Sequence, residues 1–176
     1  HDHPNVRDFE QEHYFGIHAY LKYSKLQNDK NNRAFLVETP AKEKTEFKSV
    51  FNSRTRQVGP KLPFGDEIAI PVLEKGKEFV EPAKDGLPGV PAFRPRRILS
   101  EKLTSHDRFA RASVNYFWFL LMGRGLVHPL DMMHSKNPPS HPEILDALAA
   151  EFIRSRFDVR YLLRELAMSQ AYQRSS

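Results

Sequence analysis

The chain has 176 residues, 40% of them hydrophobic and 28% charged, with a formal net charge of +5. That length supports one core, or one core and part of a second domain, and no apolar run approaches the ~20 residues that span a bilayer. The absence of cysteine excludes disulfides, thiolate zinc sites and cysteine nucleophiles within the chain, and no secretory leader is visible at its start.

The opening stretch, HDHPNVRDFEQEHYFGIHAYLKYSK, predicts a helix. Asp8 and Gln11 form a D-x-x-Q capping pattern, and Phe15, Ala19, Tyr20 and Tyr23 recur on one helical side. The run QNDKNNR (27–33) reads as a polar loop, and Phe35–Val37 as a short strand. TEFKSVFNSRTRQVGPKLPFG holds two β-compatible pieces, 46–52 and 57–62, joined by a polar turn at 53–55. Ile68, Ile70 and Val72 alternate and predict a third strand, which Pro71 confines to an edge. Prolines and glycines crowd residues 59–95, arguing for a surface connector rather than long helices. Its end, DGLPGVPAFRP (85–95), reads as extended.

From Arg96 the pattern turns helical, with Ile98, Leu99 and Leu103 facing one way and Ser105 or Asp107 as the cap of the next helix. That helix, FARASVNYFWFLLM, carries Phe109, Val114, Phe117, Trp118, Leu121 and Met122. It is apolar on most sides, which predicts the buried centre of a helical packing unit. Gly123 accepts the left-handed conformation that ends it. Ser140 and Glu143 predict a capping box for a helix carrying Ile144, Leu145, Leu148, Ala149, Phe152 and Ile153. Asp158 caps the last helix, with Phe157 and Leu162 as a hydrophobic staple and Leu162, Leu163, Leu166 and Ala167 as its buried face. The expected fold class is α+β, mainly helical: an N-terminal helix, a small antiparallel β connector and a C-terminal helical packing unit. Trp118, Leu148, Phe152 and Leu163 are expected to share its core.

Few residues suggest chemistry. Ser113 sits inside a helix rather than in the strained turn of a nucleophile elbow. The loop HPLDMMHSKNPPSHP offers His128, Asp131, His134 and His141 as metal ligands, but the expected use of these side chains is structural, as partners for loop amides and carbonyls. Asn115 and Arg111 are unusual on a crowded helix, and their expected work is to tie the loop or a helix end by buried hydrogen bonds. The densest basic group is Arg94, Arg96 and Arg97, followed by Lys102, Arg108 and Arg111. No aromatic-basic motif or recognition helix accompanies it, so nucleic acid is not the expected partner. His1 and His3 stand before the first helix. With a free amino terminus, His1-Asp2-His3 offers an amine, two amides and an imidazole, a set that suits square-planar Cu(II) or Ni(II). His1 alone can chelate copper through amine and ring, as in oxidative polysaccharide-cleaving enzymes, given a further histidine from His13, His18, His106, His128, His134 or His141. His13 and His18 are five apart and poorly aligned for that on a helix.

Two stretches resemble planctomycete-type cytochrome c proteins. RGLVHPLDMMHSKNPPSHPEILDALAAEFIRSRFDVRYLLRELAMSQAYQRSS is similar to the beginning of that family's C-terminal helical domain, which has no established activity. HDHPNVRDFEQEHYFGIHAYL is similar to the segment that follows two cysteines in the family's haem-attachment motif, CxxCH. The resemblance reaches the intervening Phe-x-Ser-Val-Phe segment as well. It implies that His1 is the proximal haem ligand of a parent protein, whose two cysteines would precede His1, and that this chain, having none, carries no covalent haem. It further implies three parts: 1–38 as the tail of a cytochrome c-like domain, 39–95 as a Pro-rich β connector, and 96–176 as the start of the helical domain. A periplasmic or cell-surface location, electron transfer linked to polysaccharide breakdown, and the parent polypeptide or an electron carrier as partner follow from the same likeness. On this basis the chain is expected to be a non-catalytic fragment of a cell-envelope c-type haem protein. A copper-dependent oxidative enzyme using His1 and a metal-free interaction module are its rivals.

Overall fold

The first helix, α1 (Gln11–Leu21), begins two residues later than a cap at Asp8 would place it. Glu10 takes the N-cap position because it and His13 lie one turn apart, and the Glu10 amide donates to His13 Nδ1 at 3.2 Å. The computed structural model describes Val6, residues 8–29 and residues 31–174. His1 and His3 therefore lie outside the described residues. The described chain divides into two compact units, His1–Glu101 and Lys102–Ser176.

In the first unit α1 lies against a hairpin formed by residues 45–58. β1 (Ser24–Asn28) and β2 (Ala34–Glu38) are antiparallel, with Ser24 opposite Glu38 and Asn28 opposite Ala34. Their turn is closed by Asp29, whose Oδ1 accepts from the amides of Asn31 and Arg33 while its Oδ2 meets Arg33 Nε at 2.7 Å. This is why a run that looks like loop from Gln27 already carries the end of a strand. β3 (Thr45–Lys48) and β4 (Thr55–Val58) pair with Thr45 opposite Val58. Thr45 and Phe47 point inward and Glu46 and Lys48 outward, the period-two pattern of a half-buried strand. Phe47 stacks on Phe15 of α1 with ring centroids 4.5 Å apart. Both strands are shorter than expected, because Ser49 to Arg54 are consumed by the turn, with Ser53 at φ 54°. Gly59, Pro60 and Leu62 then leave the ladder and pack inward.

Helix and hairpin touch closely at one point. A Cβ added to Gly16 would lie 2.7 Å from the Lys61 carbonyl oxygen, and the Lys61 amide donates to the Gly16 carbonyl at 3.2 Å. Only a residue without a side chain lets α1 approach that backbone. The third strand expected over Ile68–Val72 does not form. Pro71 supplies no donor, Val72 is fully exposed, and the backbone there pairs instead through the Ile68 amide and the Pro60 carbonyl. The third sheet comes later, from β5 (Phe79–Glu81) and β6 (Val90–Pro91), with an irregular register. Among the described residues there are thus three separate two-stranded antiparallel sheets. Helix α2 (Pro95–Thr104) follows, started by a proline whose missing amide costs no helical bond.

Among its described residues the second unit consists of helices and loops, with no strand. It holds α3 (Asp107–Met122), α4 (Pro142–Arg154), α5 (Val159–Met168) and the short α6 (Gln170–Gln173). Ala110 and Val114 of α3, Leu145, Ala149 and Phe152 of α4, and Leu162 and Leu166 of α5 form one core with Leu126 and Val127 from the α3–α4 loop. Phe117, Trp118, Leu121, Leu148 and Phe157 pack against it while keeping some exposure. Leu163 does not join: Leu162 and Leu166, one helical turn apart, take the inward direction, and position 163 is turned toward the rim. The central helix is also less enclosed than its composition suggests. Of its residues Ala110, Val114 and Asn115 are buried, whereas Tyr116 and Leu120 on the far side are about half exposed.

Caps account for where these helices begin and end. Gly123 ends α3 at φ 77°, its amide bonded to the Phe119 carbonyl. Asp158 caps α5, its carboxylate accepting from the Tyr161 amide at 3.0 Å. Two expectations are corrected. Neither Ser105 nor Asp107 caps α3; His106 does, its Nδ1 accepting from the Arg108 amide. Ser140 forms no capping box with Glu143, because its amide and hydroxyl both donate to the Leu126 carbonyl and His141 becomes the N-cap.

Candidate functional site

The richest polar stretch outside the core is the α3–α4 loop, residues 123–141. Its fixed point is Asn115, buried on α3. The Asn115 amide group donates to the Val127 carbonyl at 2.9 Å, and its carbonyl accepts from the Val127 amide at 2.8 Å. One side chain thus satisfies both backbone groups of a residue buried beside it, as a strand partner would. Gly125 makes the crossing tight enough: a Cβ there would sit 2.5 Å from the Val127 carbonyl and 3.1 Å from Asn115 Oδ1. Further along, Asn137 donates to the Met132 carbonyl at 3.0 Å, and Ser140 closes the loop onto Leu126. Arg111, one turn before Asn115, pairs with Asp146 of α4 and holds the two helices together. The expected buried tether is made by Asn115 alone; Arg111 makes a partly exposed ion pair between two helices instead of a buried bond to the loop or a helix end.

The histidines do local work. His13 takes the Glu10 amide and lies 5.0 Å from the Phe64 ring, and His18 stacks near Tyr14. His106 caps α3. His134 Nδ1 accepts from the Lys136 amide, His141 Nδ1 meets Ser140 Oγ, and the His128 ring stacks on Phe119. Among the described residues no three of His, Cys, Asp or Glu gather where they could hold a metal ion, so His128, Asp131, His134 and His141 are not brought together as a ligand set. Ser113 lies within α3, as its context implied.

Arg94, Arg96 and Arg97 of the basic group are engaged with carboxylates. Arg94 Nε meets the buried Glu38 carboxylate at 3.1 Å, and the Arg96 amide donates to the other Glu38 oxygen at 3.0 Å. Arg97 pairs with Glu101 in the next turn of α2. The shifted titrations lie elsewhere and have structural causes. The hydrogen bond that Lys61 donates to Glu12 raises Lys61, burial raises Tyr20, and hydrogen bonds from Arg154 and Tyr161 lower Glu151.

Sequence reasoning passed over one feature. Beside the pinned loop a cavity of about 490 Å³ opens, with Trp118 and Met122 of α3, Arg124, Leu126, His128 and His141 among its lining. Arg124 stands between two glycines, which is the one local signal that a charged side chain is displayed there rather than packed.

Residues 95–176, just under half of the chain, match a family model described as PSD1, protein of unknown function (DUF1553). That family is found in planctomycete-type cytochrome c proteins. Neither curated proteins nor solved structures give a match. No described helix is long and apolar enough to cross a membrane. The helical unit and α2 are thus similar to a domain of unknown function.

Proposed function

We propose that this chain is a non-catalytic part of a cell-envelope c-type haem protein, its helical unit serving as a packing module for the parent polypeptide. The observation that carries the non-catalytic reading is the use made of the loop 123–141: Asn115, Asn137 and Ser140 are engaged in holding backbone, and among the described residues no nucleophile–base pair stands over a cleft. Covalent haem needs two thioether sulfurs and an axial ligand. The chain has no cysteine, and the described histidines are engaged as caps, turn partners or stacking rings, so its own residues do not fit the group. In the parent protein the haem would be held by a Cys-x-x-Cys pair directly before His1, with His1 on the iron. Electron transfer linked to polysaccharide breakdown, and a periplasmic or surface location, belong to the same reading and rest on resemblance.

The test is to place a Cys-x-x-Cys segment before His1 and express it beside a c-type haem maturation system. A covalent haem spectrum that disappears when His1 is replaced supports the proposal; maturation without any attached haem overturns it. The chain without added cysteines should cleave no polysaccharide in the presence of copper and a reductant. Copper-dependent cleavage lost on replacing one internal histidine would establish the oxidative-enzyme alternative instead.

A further inference from the structure

The cavity beside the α3–α4 loop has walls of two kinds. Trp118, Met122 and Leu126 give it a flat apolar side. Arg124, His128 and His141 give it a polar side, and no carboxylate lines it. The backbone of that wall is held by the Asn115–Val127 pair, the close crossing at Gly125 and the two Ser140 bonds to Leu126. The polar groups that build the wall are therefore already paired with one another. No described residue partners the Arg124 guanidinium or the Trp118 indole N–H, and the His141 ring uses Nδ1 alone. The Arg124 guanidinium and the Trp118 N–H thus offer free donors to the cavity, one of them permanently cationic, beside an aromatic surface on a preformed wall.

From this we infer that the cavity binds a small aromatic carboxylate. The carboxylate meets Arg124, which presents a planar pair of N–H groups matched to two oxygens, and the ring lies on the Trp118 and Met122 side. The volume is in the range of small-molecule sites, ~300–1,000 Å³. A ligand with charge but no ring leaves the apolar wall wet, and one with a ring but no charge leaves the guanidinium without its partner.

Trp118 is the chain's one tryptophan, so its emission reads this cavity directly. The whole chain is titrated with benzoate, with benzamide as the uncharged ring and with inorganic phosphate as the ringless anion. The indole N–H resonance is followed alongside, to separate binding from absorbance by the ligand. Benzoate should give a saturable change in both signals, with benzamide and phosphate at least tenfold weaker. Arg124→Gln should weaken benzoate at least tenfold and Arg124→Lys only a fewfold, each with an unfolding midpoint like that of the parent chain. A linear, unsaturable response to benzoate overturns the inference, as does unchanged affinity in Arg124→Gln. Phosphate binding as tightly as benzoate also overturns it, in favour of a general anion site. None of these outcomes depends on whether the parent protein carries haem.

Discussion

The two units keep their interiors in order by different means. Lys102–Ser176 buries a contiguous set of aliphatic and aromatic side chains from three helices, with Asn115 as its buried polar exception. The described residues of His1–Glu101 hold no such set. The buried ones, among them Ala19, Tyr20, Val37, Phe47 and Val58, are scattered between α1 and short hairpins, and they come with Glu38 and Thr45. Where a core is continuous, burial of apolar surface sets stability and polar groups are needed only to guide a loop. Where it is thin, individual close contacts and buried charges take over: Gly16 against Lys61, Glu38 between two arginines, Tyr23 hydroxyl on the Lys42 and Glu43 amides.

The largest test of this contrast is Phe152→Ala. Phe152 is buried among Phe117, Phe157 and the facing helices, and truncation should cost about 3–5 kcal/mol. Denaturant unfolding followed by Trp118 emission measures it in the right unit. A loss below ~1 kcal/mol would mean that the helical core is not continuous. Asn115→Leu comes next. It keeps volume and apolarity but strips both Val127 backbone groups of their partner, and each buried group left unpaired costs ~1–3 kcal/mol. The expected loss is about 2–4 kcal/mol, with faster exchange of the Val127 amide than of the amides in α4. Equal exchange would show that the loop is held by packing alone.

What was legible in the sequence follows the same division. Helix existence, the Gly123 stop, the Asp158 cap and the Asn115 tether could all be read, because they depend on residues close in the chain or on a polar residue conspicuous among apolar ones. The start of α3 and the Ser140–Glu143 box could not. A cap is chosen by competition among neighbours, and the Leu126 carbonyl, far from Ser140 in sequence, took its hydroxyl. In the first unit the β1 strand was hidden because Lys25, Leu26, Gln27 and Asn28 are all exposed and the strand shows no apolar alternation. The 68–72 strand failed although its alternation was present, since alternation without an available partner edge makes no ladder. The cavity was missed for a related reason: Trp118 and Met122 looked like core, and only folding puts Arg124 and two histidines beside them.

Gly16→Ala reverses an ordinary expectation. In a helix interior that change normally gains ~1 kcal/mol. Here the new Cβ meets a backbone oxygen, so α1 or the Lys61 segment must move, and a net loss of about 1–3 kcal/mol is expected. Hydrogen exchange along α1 and β3 reads the effect where it arises. A stabilised α1 would show that the helix and the Lys61 segment are not closely joined.

The smallest effect is a pH dependence. Burial acts on Glu67 to raise its pKa, but the Lys44 hydrogen bond, the Gly59 amide and the charges of Lys44 and Lys61 outweigh it, and the net shift is downward from 4.5. The folded state therefore binds this proton less readily than the unfolded chain. Its contribution is complete above the unfolded value of about 4.5 and fades as pH falls through the lower folded value. Lys44 is about half exposed, at 48%, and Glu67 at 31%, so solvent screening holds the contribution to about 0–1 kcal/mol. Glu151 in α4 is shifted in the same direction by Arg154 and Tyr161, so acid also acts on the helical unit. The two are separable by variant: Glu67→Gln should flatten the acid limb for amides near Gly59 and leave those of α4 unchanged, and Glu151→Gln should do the reverse. Stability near Gly59 that falls as steeply below pH 4.5 in Glu67→Gln as in the parent chain would assign the limb to another carboxylate.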